Sequence, residues 1–352
     1  MSFLNFEYIP MLNVRQAEMR ALEELPSQTK DAMLPYIVLQ PWASAKELAS
    51  AVARVNAAVG LRTIIVDIGE EQPFKGERRP VHDAFDSLRV SANGYKNYVD
   101  FLVLNGNFLP SLQLADLTQL DAQIRRLAEL NRDITVRLRE PMFQYARDIA
   151  ARFQGRIPAG SLHFILDFEK QNREILVKSA IAVQTIRNIR STLPECSVSV
   201  SASTFPESFV GLAHQDIFER EFHAVVRDAI QNERLIYCDR GSVRAEALGG
   251  GGGLPAPRID IASISRWHFF RVDDAADKHS GFRRAANDAM EDDCWTDLGI
   301  WGTEYIKRTG KDGETDTIDS AAKCTAARIN IHLHTQATGG KIDGGDEVGW
   351  AD

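Results

Sequence analysis

Short apolar runs of strand length alternate along residues 1–245 with longer segments in which apolar residues recur at helical spacing. The run 63–68 is continuous and rich in β-branched residues, which is typical of a strand buried on both faces of a parallel sheet. The strands predicted in this way are 7–14, 33–39, 63–68, 98–104, 133–138, 162–168, 197–202 and 234–238. The predicted helices are 16–25, 45–59, 111–130, 143–153, 176–193 and one within 216–232.

This alternation of strands and helices predicts parallel strands joined by right-handed crossovers. Eight strands favour a closed barrel over an open doubly wound sheet. No G-x-G-x-x-G motif follows the first strand, where a dinucleotide-binding fold would carry it. We therefore predict an α/β fold, a (β/α)8 TIM-barrel-like domain with a C-terminal α+β extension.

The chain changes character after the eighth predicted strand. A run of glycines at 249–253, followed by Pro255 and Pro257, predicts a linker over 246–257 between the barrel, 1–245, and the extension. The extension, 258–336, is expected to pack on the barrel. It contains an apolar stretch at 259–271, a helix around 282–290, an acidic loop at 311–319 and a strand at 328–335. The glycine- and acid-rich tail, 337–352, is predicted to be disordered.

Composition excludes several classes of protein. Of the 352 residues 44% are hydrophobic and 26% charged, as in ordinary globular proteins. No run approaches the roughly eighteen apolar residues of a membrane-spanning helix. The start of the chain lacks the basic and apolar regions of a secretory signal, so we expect a cytoplasmic protein. The net charge of −8 argues against direct nucleic-acid binding, and the four widely spaced cysteines against a zinc knuckle or a disulfide framework.

Short blocks spread over the whole chain resemble one known family in their order and approximate spacing. They are Tyr8-Ile9-Pro10-Met11-Leu12, Leu34-Pro35-Tyr36-Ile37-Val38, Tyr237-Cys238-Asp239, Trp267-His268-Phe269-Phe270-Arg271, Trp301-Gly302-Thr303-Glu304-Tyr305-Ile306 and Asn330-Ile331-His332-Leu333. The family is the bacteriophage beta protein family, which also occurs in bacterial chromosomes and mobile elements. This sequence departs from its pattern at Arg240, where an aromatic residue is usual, and at Ile331, where a second histidine is common.

The resemblance implies a barrel-like phage or mobile-element protein, with some relatives encoded beside toxin or defence genes. It implies no particular reaction, and any cofactor is unknown. Our leading hypothesis is a component of an anti-phage defence or toxin-type module that acts through a protein partner encoded nearby or through a ligand site. The alternative is a barrel enzyme acting on a small phosphorylated or nucleotide-like substrate.

The candidate site lies at the carboxyl ends of the predicted strands, because the βα loops of a parallel barrel all open onto that face. The polar residues there are Asp67 with Glu70, Asn105 with Asn107, Arg137 with Arg139, Asp167 with Glu169 and Lys170, Ser201 with Ser203, and Asp239 with Arg240. As catalytic residues we propose Asp67, Asp167 and Glu169. As ligand-binding residues we propose Asn105, Arg137, Arg139, Lys170, Ser201, Ser203 and Asp239. The arginines favour a small anionic ligand.

Two other interpretations of this site stay open. The same charged residues can form an ion network that closes the top of the barrel without a ligand. A metal-assisted hydrolase using Asp67, Asp167 and Glu169 is a further alternative, although their spacing is not diagnostic of a metal site. We therefore assign none of these residues as a metal ligand and keep metal-assisted hydrolysis as the alternative.

Three features of the extension invite functional interpretation. His332 and His334 alternate on a predicted strand and would face the same side, and we favour a hydrogen-bonded or exposed pair over metal ligands. The alternating Asp312, Glu314 and Asp316 predict a solvated acidic loop rather than a calcium site. Trp267, Trp295, Trp301 and Tyr305 are expected to form an aromatic cluster that packs the extension on the barrel.

Overall fold

A computed structural model describes residues 3–71, 77–231, 234–243 and 256–339. The chain divides into two compact units, each assembled from three segments. The barrel unit comprises Met1–Arg15, Asp31–Phe205 and Phe218–Glu246, and the second unit comprises Gln16–Lys30, Pro206–Ile217 and Ala247–Asp352. Two segments that the sequence assigned to the barrel, 16–30 and 206–217, thus belong to the second unit.

Eight parallel strands form the sheet of the barrel unit. They are β1 Tyr8–Asn13, β2 Tyr36–Leu39, β3 Ile64–Ile68, β4 Phe108–Pro110, β5 Ile134–Arg139, β6 Leu162–Lys170, β7 Ser197–Ser203 and β9 Leu235–Asp239. The strands follow the order β4-β3-β2-β1-β9-β7-β6-β5, and a parallel bridge between Ser111 and Thr135 links the two end strands. The sheet is therefore a nearly closed barrel, and the predicted (β/α)8-like fold is confirmed.

Helices separate most of the strands. Those of the barrel unit are α3 Leu48–Val59, α4 Pro80–Arg89, α5 Ala92–Leu104, α6 Leu120–Glu129, α7 Ala146–Ala151, α8 Ser179–Arg190 and α9 Phe218–Ile230. In α6 the buried positions Leu120, Gln123, Ile124 and Leu127 recur at three- and four-residue spacing. Such a stripe places one face of a helix on the sheet and leaves the other in water.

The strand predicted at 98–104 is wrong, because these residues lie in α5. Tyr98, Phe101 and Leu102 are buried at helical spacing, whereas Leu104 is 84% exposed. The fourth strand is instead β4, which has only three residues. An aromatic and apolar helix face was mistaken for a strand because the real strand is too short to produce an alternating pattern.

The interior of the barrel is filled by apolar side chains from alternate positions of the strands. This cluster consists of Phe3, Ile9, Met11, Leu34, Tyr36, Val38, Ile65, Leu109, Ile165, Ile236 and Cys238. Near the amino end of β6 the ring of His163 stacks on Phe3 at a centroid distance of 5.0 Å. Burial lowers the pKa of His163 to about 3, so the ring is neutral and hydrogen-bonds to Ser197 and Ser199. This packing makes the lower interior a closed core, as in other small parallel barrels.

The second unit combines an antiparallel sheet with helices. Its strands are β8 His214–Asp216, β10 Arg258–Ala262 and β11 Arg266–Arg271, in the order β10-β11-β8. Its helices are α1 Gln16–Glu23, α2 Ser27–Asp31, α10 Lys278–Glu291, α11 Trp301–Gly310 and α12 Ala321–Thr338, the last residue of α2 lying just beyond the unit boundary. The part of the chain that follows the barrel is therefore α+β, as predicted.

The strand predicted at 328–335 is also wrong, because the segment lies inside α12. All residues from Ala326 to Gln336 are buried, so this part of the helix has no exposed polar face. Its apolar residues therefore do not recur at helical spacing. In a helix His332 and His334 point in nearly opposite directions. The ring of His332 stacks on Trp267 and His334 Nδ1 lies 2.8 Å from Thr29 Oγ1, which makes both histidines structural.

Some predictions fall on residues that the structure does not describe, among them the glycine run at 249–253 and the tail from residue 340 onward. Of the predicted aromatic cluster, Trp301 packs against Tyr305 at a centroid distance of 4.8 Å, whereas Trp267 contacts His332. Within the described ranges no helix has both the length and the apolar character needed to cross a membrane.

Candidate functional site

Charged side chains occupy the barrel interior above the apolar core, at the carboxyl ends of the strands. Asp167 of β6 is fully buried, and Arg137 of β5 donates to its Oδ2 from Nε at 2.8 Å and lies 2.6 Å away through Nη2. Arg240, which follows β9, contacts the same oxygen. Asp167 Oδ1 accepts the backbone N–H of Glu169 at 3.0 Å. One buried carboxylate therefore anchors two guanidinium groups.

This arrangement fixes the charge of Asp167. Burial alone would raise its pKa, but the positive charges of Arg240 and Arg137 outweigh burial and hold the pKa well below its usual range. The carboxylate stays ionised at neutral pH, which rules out a role as a general acid there.

Arg137 also bridges to a second carboxylate, Asp67 of β3, at 3.4 Å. Asp67 Oδ2 accepts the hydroxyl of Tyr36 at 2.8 Å, and Asp67 Oδ1 accepts Gln113 Nε2 at 2.7 Å. Tyr36 also lies 2.8 Å from Ser111 Oγ. Asp67, Arg137 and Asp167 thus form one hydrogen-bonded network across the barrel, as the sequence suggested. We call Asp67, Arg137, Asp167 and Arg240 the interior ion cluster.

A more exposed layer of ion pairs lies at the next inward-facing positions. Arg139, two residues beyond Arg137 and 36% exposed, contacts Glu70 and lies 3.2 Å from Glu169, which are 67% and 47% exposed. Glu169 adopts a left-handed conformation, φ 56°, where the β6–β7 pairing shifts register between Asp167 and Lys170. Strained backbone of this kind is concentrated at functional sites.

The hydroxyls of β7 contribute little to an open site. Ser201 Oγ contacts Met11 Sδ at 3.3 Å, and Ser203 Oγ donates to the carbonyl of Val243 at 2.6 Å. Ser203 pairs in register with Lys170, whose side chain is exposed. The serines therefore lie on the predicted face, but both hydroxyls are engaged within the protein.

The structure separates Asp239 from the other predicted ligand residues. Cys238 belongs to the interior apolar cluster, so its neighbour Asp239 points to the outer face of the barrel. There its carboxylate accepts the hydroxyls of Tyr8 at 2.7 Å and Tyr237 at 2.9 Å. The residue that reaches the interior is Arg240, which the sequence placed at this strand end without assigning it a role.

Asn105 is also misplaced by the sequence prediction. It caps the C-terminus of α5 and precedes β4, so it lies at the amino end of that strand. Its Nδ2 donates to the carbonyl of Phe101 at 2.8 Å. The error follows from the wrong position of the fourth strand.

A second group of buried acids lies on the outer side of the sheet, where α9 packs on β7 and β9. Glu219 of α9 is 3% exposed and accepts the hydroxyl of Thr204. Burial, with a contribution from the charge of Asp239, raises the pKa of Glu219 to about 8. We call Glu219, Asp239, Tyr8 and Tyr237 the outer acid cluster.

Two buried polar atoms just after the C-terminal end of β9 have no hydrogen-bond partner among the described residues. They are Arg240 Nε and Ser242 Oγ. Both residues lie in the turn after β9, and Ser242 has a left-handed backbone with φ 57°. A buried donor without a partner costs about 1–3 kcal/mol, which a bound acceptor would recover. The cluster therefore has the chemistry to bind an anion next to Arg240.

Comparison with known proteins gives a family-level result. A family model described as Beta protein matches residues 8–338. The chain is also similar to Protein beta of Enterobacteria phage P4, with 28% identity over 345 residues, which covers 95% of this chain and 94% of the relative. The similarity extends over both units.

Proposed function

Because the chain belongs to the Beta protein family, we propose that it is a component of a phage- or mobile-element-encoded defence or toxin-type module. We further propose that it acts by binding a small phosphorylated or nucleotide-like anion at the carboxyl end of the barrel, and that the bound state is recognised by a protein partner encoded nearby. The observation that carries the ligand proposal is the convergence of Arg137 and Arg240 on Asp167, with Arg139 on the same face of β5.

The exposed layer supports access for such an anion. Glu70 and Glu169, the partners of Arg139, are both about half exposed or more. Exposed ion pairs of this kind contribute only about 0–1 kcal/mol, so a phosphate can displace them from the guanidinium at little cost. A phosphate also accepts two parallel N–H bonds from an arginine. Arg139 is therefore the residue that would first contact the ligand.

The interior ion cluster supports a positioning role beneath that ligand. Arg137 is nine-tenths buried and is fixed by Asp167 and Asp67. Preformed guanidinium groups reduce the side-chain entropy lost on binding. Metal-assisted hydrolysis by Asp67, Asp167 and Glu169 has less support, because the first two carboxylates already carry arginines and Glu169 pairs with Arg139.

Thermal unfolding in the presence of inorganic phosphate, nucleotides and sugar phosphates tests the ligand proposal. We expect one class of anion to raise the unfolding midpoint of the wild type in a concentration-dependent way. Arg139→Ala should weaken that binding at least tenfold. Arg156→Ala removes an arginine of similar exposure that pairs with Asp121, and it should leave binding unchanged. No midpoint change with any of these anions, or equal binding by both variants, would overturn the proposed site.

The module role is tested separately in cells. The gene is expressed with its neighbouring genes, and phage plating and growth are compared with a strain that carries a deletion of this gene alone. We expect the deletion to change plating efficiency or cell survival, and the purified protein to co-purify with a neighbouring gene product. Unchanged plating and growth would overturn the module proposal while leaving the ligand site standing.

A further inference from the structure

A mixed group of metal-ligating side chains lies within the second unit. His268 comes from β11, and Asp292 and Cys294 come from the turn that follows α10. One potential ligand atom from each of the three lies within 4.8 Å of the others. Imidazole, thiolate and carboxylate are the three protein ligands that Zn²⁺ uses. We propose that His268, Asp292 and Cys294 bind a zinc-type divalent cation.

His214 on the neighbouring strand β8 can supply a fourth ligand. His214 of β8 pairs in register with His268, and their rings lie side by side with centroids 6.3 Å apart. Two imidazoles on one tetrahedral zinc, with Zn–N bonds of about 2.0–2.1 Å, have centroids roughly 5 Å apart. His214 is exposed and can make the remaining shift by side-chain rotation. The antiparallel register of β8 and β11 thus adds a second imidazole to the carboxylate and thiolate of the turn after α10.

The position of Asp292 also favours a cation. It is the C-cap residue of α10, whose last turn contains no basic residue. The carboxyl end of a helix carries a partial negative charge, so a carboxylate there is unfavourable and a nearby cation is favourable. Asp292 Oδ1 accepts the backbone N–H of Cys294 at 2.9 Å, which orients the carboxylate as outer-shell bonds orient metal ligands.

The thiol is accessible to an incoming ion. Cys294 is partly exposed and borders a cavity of about 270 Å3 lined also by Trp295 and Leu298. The other three cysteines are buried. Binding would replace the proton of the Cys294 thiol with a bond from its sulfur to the metal, releasing that proton to solvent with no change of oxidation state.

Metal titration of the full-length protein tests the site. After removal of metals with a chelator, we expect the wild type to bind one Zn²⁺ per chain by calorimetry. With Co²⁺ the protein should show a thiolate-to-cobalt charge-transfer band and the visible absorption of a tetrahedral centre. Cys294→Ser should abolish the charge-transfer band, and His268→Ala and Asp292→Asn should weaken Zn²⁺ binding at least tenfold.

Matched variants separate this site from general surface binding. Asp293→Asn and His279→Ala change exposed residues of the same types in the same unit, and both should bind Zn²⁺ like the wild type. His214→Ala should weaken binding and change the visible spectrum, and an unchanged spectrum would remove His214 from the ligand set. The site itself would be overturned by a wild type that fails to bind, or by Cys294→Ser binding both metals normally. Cys294→Ser is conservative at a partly exposed position, so the test holds even where His268→Ala fails to fold.

Discussion

Two buried carboxylates of the barrel unit lie in opposite electrostatic surroundings. Asp167 in the interior ion cluster is held by two guanidinium groups, whereas Glu219 in the outer acid cluster has a hydroxyl and a nearby carboxylate. Burial raises the pKa of both side chains. The arginines reverse that effect at Asp167, and nothing reverses it at Glu219, whose pKa reaches about 8. The identity of the partner, rather than the depth of burial, decides which acid is ionised.

The difference also separates the roles that we propose for the two regions. The interior ion cluster holds the guanidinium groups of Arg137 and Arg240 in fixed positions on Asp167, and such preformed groups can donate to an anion. The outer acid cluster is enclosed between the sheet and α9, and its acids are satisfied by the hydroxyls of Tyr8, Tyr237 and Thr204. The first region is the one for which we propose anion binding, and the second packs the helix layer on the sheet.

Replacement of Asp167 is expected to have the largest effect. Asp167→Asn leaves Arg137 and Arg240 buried without their shared counter-charge, which should cost about 3–5 kcal/mol of the free energy of unfolding. Urea unfolding at neutral pH measures this loss. A loss below about 1 kcal/mol would mean that the two arginines find other partners or solvent, and the interior ion cluster would not be the rigid unit we describe.

Tyr8→Phe tests how much the hydrogen bond from Tyr8 to Asp239 stabilises the outer acid cluster. The change removes one of the two hydroxyls on Asp239 and keeps the ring that stacks on Tyr237. We expect a loss of about 1–3 kcal/mol in urea unfolding, because a hydrogen bond to a buried carboxylate is lost. Tyr145→Phe, at an exposed ring, is the control and should change stability little.

The sequence predicted the barrel better than the second unit for a physical reason. Strands such as β3 and amphipathic helices such as α6 keep a regular apolar period because one face, or both, meets a core. The helix α12 is surrounded by protein, so buried polar residues such as Arg328 and Asn330 interrupt its apolar positions without exposing a polar face. The alternation of apolar and polar residues in α12 therefore resembles that of a strand. A strand would place His332 and His334 on one face, whereas in the helix they point apart.

The site was partly predictable in the same way. Polar residues at strand ends led to Asp67, Arg137 and Asp167, which do form one network. The choice of Asp239 instead of Arg240 failed because adjacent residues of a strand face opposite sides of the sheet. A shift of one residue in the predicted inward-facing positions of β9 therefore selects Asp239, which faces outward, in place of Arg240, which faces the interior. In the second-unit group, Asp292 and Cys294 are close in the sequence but His268 joins them only through the fold, so no recognised ligand spacing indicated the group.

The opposite pH responses of the two acids sharpen the comparison. The pKa of Glu219 rises from 4.5 in the unfolded chain to about 8, so the stability contributed by the protonated form is complete below about 4.5 and is lost as the pH rises through about 8. Relative to Glu219→Gln, the wild type should therefore lose up to about 1.4 kcal/mol per pH unit in this window. Asp167, with a lowered pKa, contributes stability that is lost only as the pH falls below about 4.

Urea unfolding at several pH values between about 5 and 9 measures the Glu219 effect. Glu221→Gln on the same helix, at an exposed position, is the control and should follow the wild type across the range. A stability difference between wild type and Glu219→Gln that does not change with pH would show that the carboxyl is ionised throughout.

The smallest expected effect comes from an exposed copy of the Asp167 arrangement. Asp121 of α6 also binds two arginines, Arg152 at 2.7 Å and Arg156, but its side chain is 40% exposed. Asp121→Asn should cost less than about 1 kcal/mol, because water solvates the released guanidinium groups and screens the original pairs. Urea unfolding of Asp121→Asn and Asp167→Asn under the same conditions compares two aspartates that each pair with two arginines but differ in burial. Equal losses in the two variants would show that the arginines beside Asp167 are solvated as freely as those on the surface, and that the barrel end holds no desolvated positive charge for an anion to use.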